Sequence, residues 1–217
     1  VAPYFVTGIV FGGLAAEEVS INQIMIPFLA LTAVILILLG LLSRFSLPDI
    51  EGTRNEGSEK LEKSVWSFRH LTLGVIAIFF YVGVEVGIPG TLNFYLTDTL
   101  GTANAATTAG FVAGTYWFLM LCGRFISSLI SGKVSSKTQL AVTCAVAIVL
   151  VISAMFTTNV QASMPVFTGS GFGMAQVPLT ALLLVCCGLC TSVMWGTIFN
   201  LSVAGLGKHS ALASGLF

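Results

Sequence analysis

The chain has 217 residues, of which 56% are apolar and 8% are charged, and its formal net charge is zero. A typical soluble domain carries about 25% charged residues, so this composition excludes an ordinary water-soluble fold. It also excludes a disordered chain, which needs low hydrophobicity and high net charge. The balanced charge gives no reason to expect a nucleic-acid partner. The remaining class is a protein that crosses a lipid bilayer several times.

Five segments are long and apolar enough to cross a bilayer core, which takes about 20 helical residues. None of them alternates with the period of two that a barrel strand shows, and helices satisfy their own backbone groups in lipid. The sequence therefore predicts an all-α membrane protein. The predicted spans are 23–43, 71–97, 108–131, 139–157 and 179–205. Residues 1–13 have the character of a further span cut short, so we expect a fragment of a longer protein.

The charged residues predict the orientation of these spans. Ten of the eighteen lie between Arg44 and Arg69, in one hydrophilic loop at 44–70. With this loop in the cytoplasm, all nine basic residues fall on or near one side of the membrane, as the positive-inside rule requires. We therefore predict that loop 44–70 is cytoplasmic. It is either a solvated linker, with a short surface helix at Ser58–Lys63, or a regulatory segment.

Glu85 is the residue that most needs an explanation. It lies near the middle of span 71–97, with no Lys or Arg within a dozen residues in sequence. A carboxylate at that depth costs several kcal/mol and is normally kept where it faces the bundle interior or a water-filled path. It is either a binding group for substrate hydroxyls or a proton carrier, or else a buried acid that holds two helices together.

The surroundings of Glu85 favour a binding role. Four helix breakers cluster there and predict an interrupted helix that lines a cavity: Gly83, Gly87, Pro89 and Gly90. At about 100° per residue, one stripe of this span holds Tyr81, Glu85, Ile88 and Tyr95, with Asn93 at its edge. Aromatic rings beside hydrogen-bonding groups suit a sugar, because rings cover its C–H face while amides and carboxylates bind its hydroxyls. The alternative is polar contact between helices.

Other segments carry weaker signals. In span 179–205, Trp195 lies near the middle instead of at an interface, and it joins Asn200 as a further cavity candidate. The pair Gly110 and Gly114 predicts close packing of span 108–131. Connection 158–178 is glycine-rich and is expected to be a flexible external loop. We find no metal-ligand set, catalytic constellation or nucleotide-binding signature, so an enzyme is not expected.

Three stretches together resemble a known family. They run from Ser67 to Leu96, from Met120 to Leu140 and from Trp195 to Gly215. They are similar to the fucose:proton symporter family of the major facilitator superfamily, particularly its bacterial glucose/galactose transporter branch. The most specific parts are Y-V-G-x-E at Tyr81–Glu85 and T-I-F-x-L…G-L-G-K-H at Thr197–His209.

The resemblance implies part of a twelve-helix fold made of two six-helix bundles that alternate access to a central sugar site. In that scheme, residues 1–43 end the N-terminal bundle, 44–70 is the linker and 71–217 belongs to the C-terminal bundle. The resemblance also implies a bacterial inner membrane, a proton as the coupling ion and no other cofactor. The family's proton-coupling acids lie in its first and fourth helices, outside this chain. No obligatory protein partner is expected.

The sequence thus predicts a proton-coupled hexose symporter for glucose, galactose or fucose. Asn93 and Tyr95 match an N-x-Y pattern of the branch, and Glu85 matches a position that is Glu or Gln among relatives. The predicted substrate-binding residues are Glu85, Asn93, Tyr95, Tyr81, Trp195 and Asn200. Two alternatives stay open: a transporter of the same fold for a cationic drug or another small polar solute, and a sugar sensor that does not transport.

Overall fold

The computed structural model describes residues 20–45, 64–101, 105–167 and 171–217. The predicted partial span at 1–13, most of loop 44–70 and the surface helix at Ser58–Lys63 lie outside the described residues. The helices are α1 (Ile21–Arg44), α2 (Arg69–Leu100), α3 (Ala105–Ile130), α4 (Ser136–Phe156), α5 (Leu179–Val203) and the short α6 (Ser210–Ser214). Two 3-10 turns cover Val65–Ser67 and Gly207–His209, and two strands, β1 (Gln161–Phe167) and β2 (Phe172–Pro178), join α4 to α5.

The first five helices are each long and apolar enough to cross a membrane. Each coincides with one of the five spans predicted from the sequence. Local signals set some of their ends. The backbone N–H of Thr138 donates to Ser135 Oγ at 3.2 Å and caps the start of α4. Gly101, with a φ of 54°, takes the left-handed conformation that ends α2.

Helix α2 runs without interruption through its cluster of helix breakers, so the predicted break at Gly83, Gly87, Pro89 and Gly90 is wrong. Proline and glycine are tolerated in membrane helices, because unsatisfied backbone is costlier in lipid than in water and neighbouring groups restore the lost contacts. Pro89 still removes one backbone donor. The carbonyl that loses its regular helical partner belongs to the residue four positions earlier, Glu85.

The connection between α4 and α5 is also different from its prediction. Where a flexible loop was expected, β1 and β2 form an antiparallel hairpin in which Val166 pairs with Gly173 and Ala162 with Val177. Val166 and Val177 are fully buried and pack against the adjoining ends of α2, α3 and α5. The prediction was wrong because glycine does not exclude a strand. Gly173 lies in β2 opposite Val166, whose side chain packs into the core.

Helix α5 is the centre of the packed bundle and contacts α2, α3 and α4. Small residues allow this close packing. A Cβ at Gly188 would meet the backbone carbonyl of Tyr116, and one at Gly123 would meet the side chain of Ser192. The predicted packing residue Gly114 is buried in α3. The bundle therefore brings the middles of α2, α3 and α5 together.

Candidate substrate site

The middle of α2 holds an ion pair that crosses to α3. Arg124 Nη2 lies 3.7 Å from Glu85 Oε1, with 57% of the Arg124 side chain exposed and 16% of Glu85. An opposite charge at this distance lowers the cost of placing a carboxylate in an apolar span. The pair explains how Glu85 is accommodated at that depth.

Tyr81 lies one helical turn before Glu85, on the same face of α2. Its side chain is buried against Ile198 of α5. The hydroxyl interacts electrostatically with both Glu85 and Arg124, yet it makes no hydrogen bond of good geometry with any residue that the structure describes. Leaving a buried polar atom without a hydrogen bond lowers stability by about 1–3 kcal/mol. A hydrogen bond from this hydroxyl to a water molecule or a ligand would recover that cost.

Asn93 carries a second unsatisfied group of α2. Its side-chain oxygen is buried and accepts no hydrogen bond within the described part of the chain. Eight residues separate it from Glu85, which is about 12 Å along a helix. Tyr95, further along α2, is 36% exposed. The predicted α2 residues therefore form two groups along the helix, one around Glu85 and one around Asn93.

The two candidates on α5 lie in different surroundings. Trp195 is 42% exposed and stacks on Phe199, with ring centroids 5.4 Å apart and planes 3° from parallel. Asn200 is exposed and lines a polar cavity of about 230 Å³ that also reaches Arg124. Arg124 is thus the residue that joins Glu85 on one side to Asn200 on the other.

A buried hydrogen bond locks α3 to α5 beside the ion pair. The hydroxyls of Tyr116 and Thr191 lie 2.9 Å apart, and both side chains are almost fully buried. The Thr191 hydroxyl also contacts the carbonyls of Cys187 and Gly188, each at 3.2 Å. Since Thr191 donates to its own helix, Tyr116 is the donor between the helices.

Arg124 is the site residue that the sequence analysis missed. It was counted only among the nine basic residues on or near one side of the membrane. Its separation of 39 residues from Glu85 hides the contact. A usable signal was present nonetheless. A lone acid in one span and a lone base inside the next favour pairing, because each is costly in lipid without the other.

The described residues contain no group of three or more His, Cys, Asp or Glu side chains that could hold a metal ion. The polar groups of the site are instead a carboxylate, a guanidinium, amides and hydroxyls. Such a set can donate and accept hydrogen bonds to a neutral ligand, and it offers no group arranged as a nucleophile with its base.

Comparison with known proteins places this bundle in a family. The family model of the Major Facilitator Superfamily matches residues 4–217. A glucose/galactose transporter of Brucella abortus biovar 1 (strain 9-941) is 30% identical over 220 residues, which cover 100% of this chain and 48% of the relative. A putative glucose/galactose transporter of Helicobacter pylori (strain ATCC 700392 / 26695) is 29% identical over 195 residues, or 90% of this chain and 42% of the relative.

The chain therefore spans about half the length of the curated relatives it matches. No solved structure matches it. These findings confirm the resemblance drawn from the sequence and the all-α membrane fold. The chain belongs to the major facilitator superfamily.

Proposed function

We propose that this chain forms part of a proton-coupled hexose symporter that works by alternating access. The observation that carries the proposal is the group of Tyr81, Glu85 and Arg124, in which a charged pair and an unsatisfied hydroxyl meet in the middle of a membrane span. The names of the relatives support a hexose as the cargo. Proton coupling, a bacterial inner membrane and a cytoplasmic loop 44–70 are parts of the same proposal.

The chemistry of the site suits sugar hydroxyls. The Glu85 carboxylate accepts hydrogen bonds, and its backbone carbonyl, released by Pro89, adds a further acceptor close by. Hydrogen bonds to charged groups are the stronger ones, worth about 1.5–3 kcal/mol. Tyr81 supplies a hydroxyl and a ring at the same place. We assign these groups to the centre of the sugar site.

The remaining candidates extend the site in both directions. Asn93 and Tyr95 offer an amide and a phenol about 12 Å and about 15 Å further along α2. On α5, Phe199 covers one face of Trp195, and the opposite face could pack against sugar C–H groups as aromatic rings do. We assign Asn93 and Tyr95 to one end of the sugar path and Asn200 to the other.

The ion pair counts against the alternative of a cationic cargo. A cationic drug would have to displace Arg124 from Glu85 and would be repelled by the freed guanidinium. A neutral sugar meets no such repulsion. Measured uptake distinguishes a transporter from a sensor, because a sensor binds sugar without accumulating it.

The test uses the complete protein in liposomes, with uptake of labelled glucose, galactose and fucose measured with and without an inward proton gradient. We expect gradient-driven accumulation of one hexose. Replacement of Glu85 by glutamine, which keeps the shape of the side chain, should lower uptake by about tenfold or more, since a charge-assisted hydrogen bond is lost.

The matched control is Asp98→Asn, which neutralises an exposed acid near the end of the same helix. It should transport like wild type. Uptake is compared per amount of folded protein, because Glu85→Gln leaves Arg124 without its counter-ion. Unchanged uptake kinetics in Glu85→Gln would remove Glu85 from the site, and binding without accumulation by wild type would identify a sensor.

A further inference from the structure

We propose that Arg124 is a substrate-binding residue that holds the sugar jointly with Glu85, and that the two charges together select a neutral polyol. The inference rests on the proposed function and assigns to it a residue that sequence reasoning left out. In the empty site Arg124 compensates the carboxylate. In the occupied site one sugar hydroxyl donates to Glu85 while another accepts from the guanidinium.

The two charged groups are too far apart for a direct hydrogen bond between them. Charge-assisted N–H···O hydrogen bonds have heavy-atom distances of about 2.7–2.9 Å, whereas Arg124 Nη2 and Glu85 Oε1 are 3.7 Å apart. The guanidinium has five N–H donors. Within the described residues it also contacts the thioether sulfur of Met120, a weak acceptor, at 3.6 Å, and it interacts with the Tyr81 hydroxyl. These contacts leave several of its five donors for a ligand.

The guanidinium also faces a polar cavity. The cavity of about 230 Å³ lies between α3, α5 and the start of α4, and Arg124 is the one charged residue among its described lining residues. Hydroxyl and amide side chains make up much of the rest, among them Gln139, Ser192, Thr197 and Asn200. Arg124 is mostly exposed while Glu85 is mostly covered, so the arginine can reach a ligand on the cavity side without leaving the pair.

The two opposite charges explain why the site would favour a neutral ligand over an anion or a cation. An anion would be attracted by Arg124 and repelled by Glu85, and a cation would meet the reverse. A sugar hydroxyl both donates and accepts, so neighbouring hydroxyls can satisfy the carboxylate and the guanidinium at once. The ligand class that uses both groups is a neutral molecule with at least two adjacent hydroxyls.

A purely structural role for Arg124 is the competing explanation, and a double variant separates the two. Arg124→Gln leaves Glu85 without its counter-ion and should lower the thermal unfolding midpoint of the complete protein. Glu85→Gln combined with Arg124→Gln removes both charges and should restore that midpoint. If Arg124 also binds sugar, the double variant binds sugar more weakly than Glu85→Gln alone, although its stability has returned.

The experiment measures sugar affinity by titration of the purified complete protein and KM by uptake in liposomes, for wild type, both single glutamine variants and the double variant. We expect Arg124→Gln to weaken affinity by about tenfold to a hundredfold, the factor that corresponds to one hydrogen bond to a charged group. Arg124→Lys should keep part of the affinity, because an ammonium retains the charge and loses the planar fork of donors.

Lys133→Gln is the matched control, since it removes an exposed positive charge shortly after the end of the same helix. It should bind sugar like wild type. Wild-type affinity in Arg124→Gln, or an affinity in the double variant equal to that of Glu85→Gln alone, would overturn the role of Arg124 while leaving sugar transport intact. Failure of wild type to bind or transport any of the three hexoses would overturn the proposed function, and this inference with it.

Discussion

Helices α1 and α5 have similar composition and opposite surroundings. Their most apolar stretches have mean hydropathies of 2.8 and 2.0, yet none of the α1 stretch is buried within the described structure and 44% of the α5 stretch is. Helix α1 carries a run of large aliphatic side chains at 34–39, which continues after Gly40 with Leu41 and Leu42. Helix α5 carries buried small and hydroxylated residues such as Gly188, Thr191 and Ser192.

The contrast shows that insertion of a helix into the bilayer and packing of that helix against another depend on different residues, which hydropathy alone does not distinguish. Apolar side chains place a helix in the bilayer, but lipid tails are as apolar as leucine, so they give little drive for one helix to meet another. Small residues let backbones approach, and hydroxyls then bond across the gap. Substitutions that alter size should therefore act strongly in α5 and weakly in α1.

The sharpest test exchanges a glycine for leucine in each helix. A Cβ at Gly188 would meet the backbone carbonyl of Tyr116, whereas one at Gly40 meets no atom within 4 Å. Gly188→Leu should lower the free energy of unfolding by about 3 kcal/mol, because the α3–α5 packing must open. Gly40→Leu should change it by less than about 0.5 kcal/mol. Denaturant titration of the complete protein in detergent measures both.

Equal losses in the two variants would mean that α1 packs as tightly as α5 in the complete protein. In that case the exposure of α1 would describe this part of the chain alone, and burial could not be read from its aliphatic composition.

The hairpin provides a second comparison, between a buried and an exposed side chain of strand β2. Val177 of β2 is fully buried and Met174 is 68% exposed. Val177→Ala should destabilise the protein by about 2 kcal/mol, the sum of lost burial and the cavity left behind. Met174→Ala should have little effect, although it removes more atoms. The same denaturant titration compares them, and a loss in Met174→Ala that matches Val177→Ala would show that the hairpin does not dock on α2, α3 and α5.

The sequence was sufficient for the helices and for the face of α2 that carries Tyr81 and Glu85. Hydropathy and period determine these features locally, because each span satisfies its own backbone groups. Of the predicted packing pair, Gly114 is buried and Gly110 is half-buried. Close approaches also occur at Gly74, Gly123 and Gly188, which no local spacing singled out.

Two of the three failures share a physical cause, which is contact between residues distant in sequence. The Glu85–Arg124 pair and the docking of Val177 depend on how helices and strands meet, and neither leaves a local period. The continuity of α2 through Pro89 depends on the lipid environment, which raises the cost of unpaired backbone. The roles of Glu85, Asn93 and the other candidates stay predictions until transport is measured.

The smallest expected change concerns the hydroxyl of Tyr116. Tyr116→Phe keeps the ring and removes the donor to Thr191, whose hydroxyl retains its contacts with the carbonyls of Cys187 and Gly188. Because no donor is left unsatisfied on α5, the loss should be at the low end for a neutral hydrogen bond, about 0.5–1 kcal/mol. Thr191→Val and the double variant complete a cycle that isolates this one bond.

The same set of variants tests whether the Tyr116 hydroxyl only joins α3 to α5 or also binds sugar. Tyr116 shares a buried cluster with Met120, whose sulfur contacts Arg124 at 3.6 Å, so this phenol lies close to the proposed sugar site. If its hydroxyl serves only to join α3 and α5, both variants should leave the KM for sugar unchanged. Thr191→Val should then cost more stability than Tyr116→Phe, because it leaves the buried Tyr116 donor without an acceptor. A rise in KM confined to Tyr116→Phe would contradict that division, because Thr191 lies on the far side of the bond, and would extend the binding site from α2 into α3.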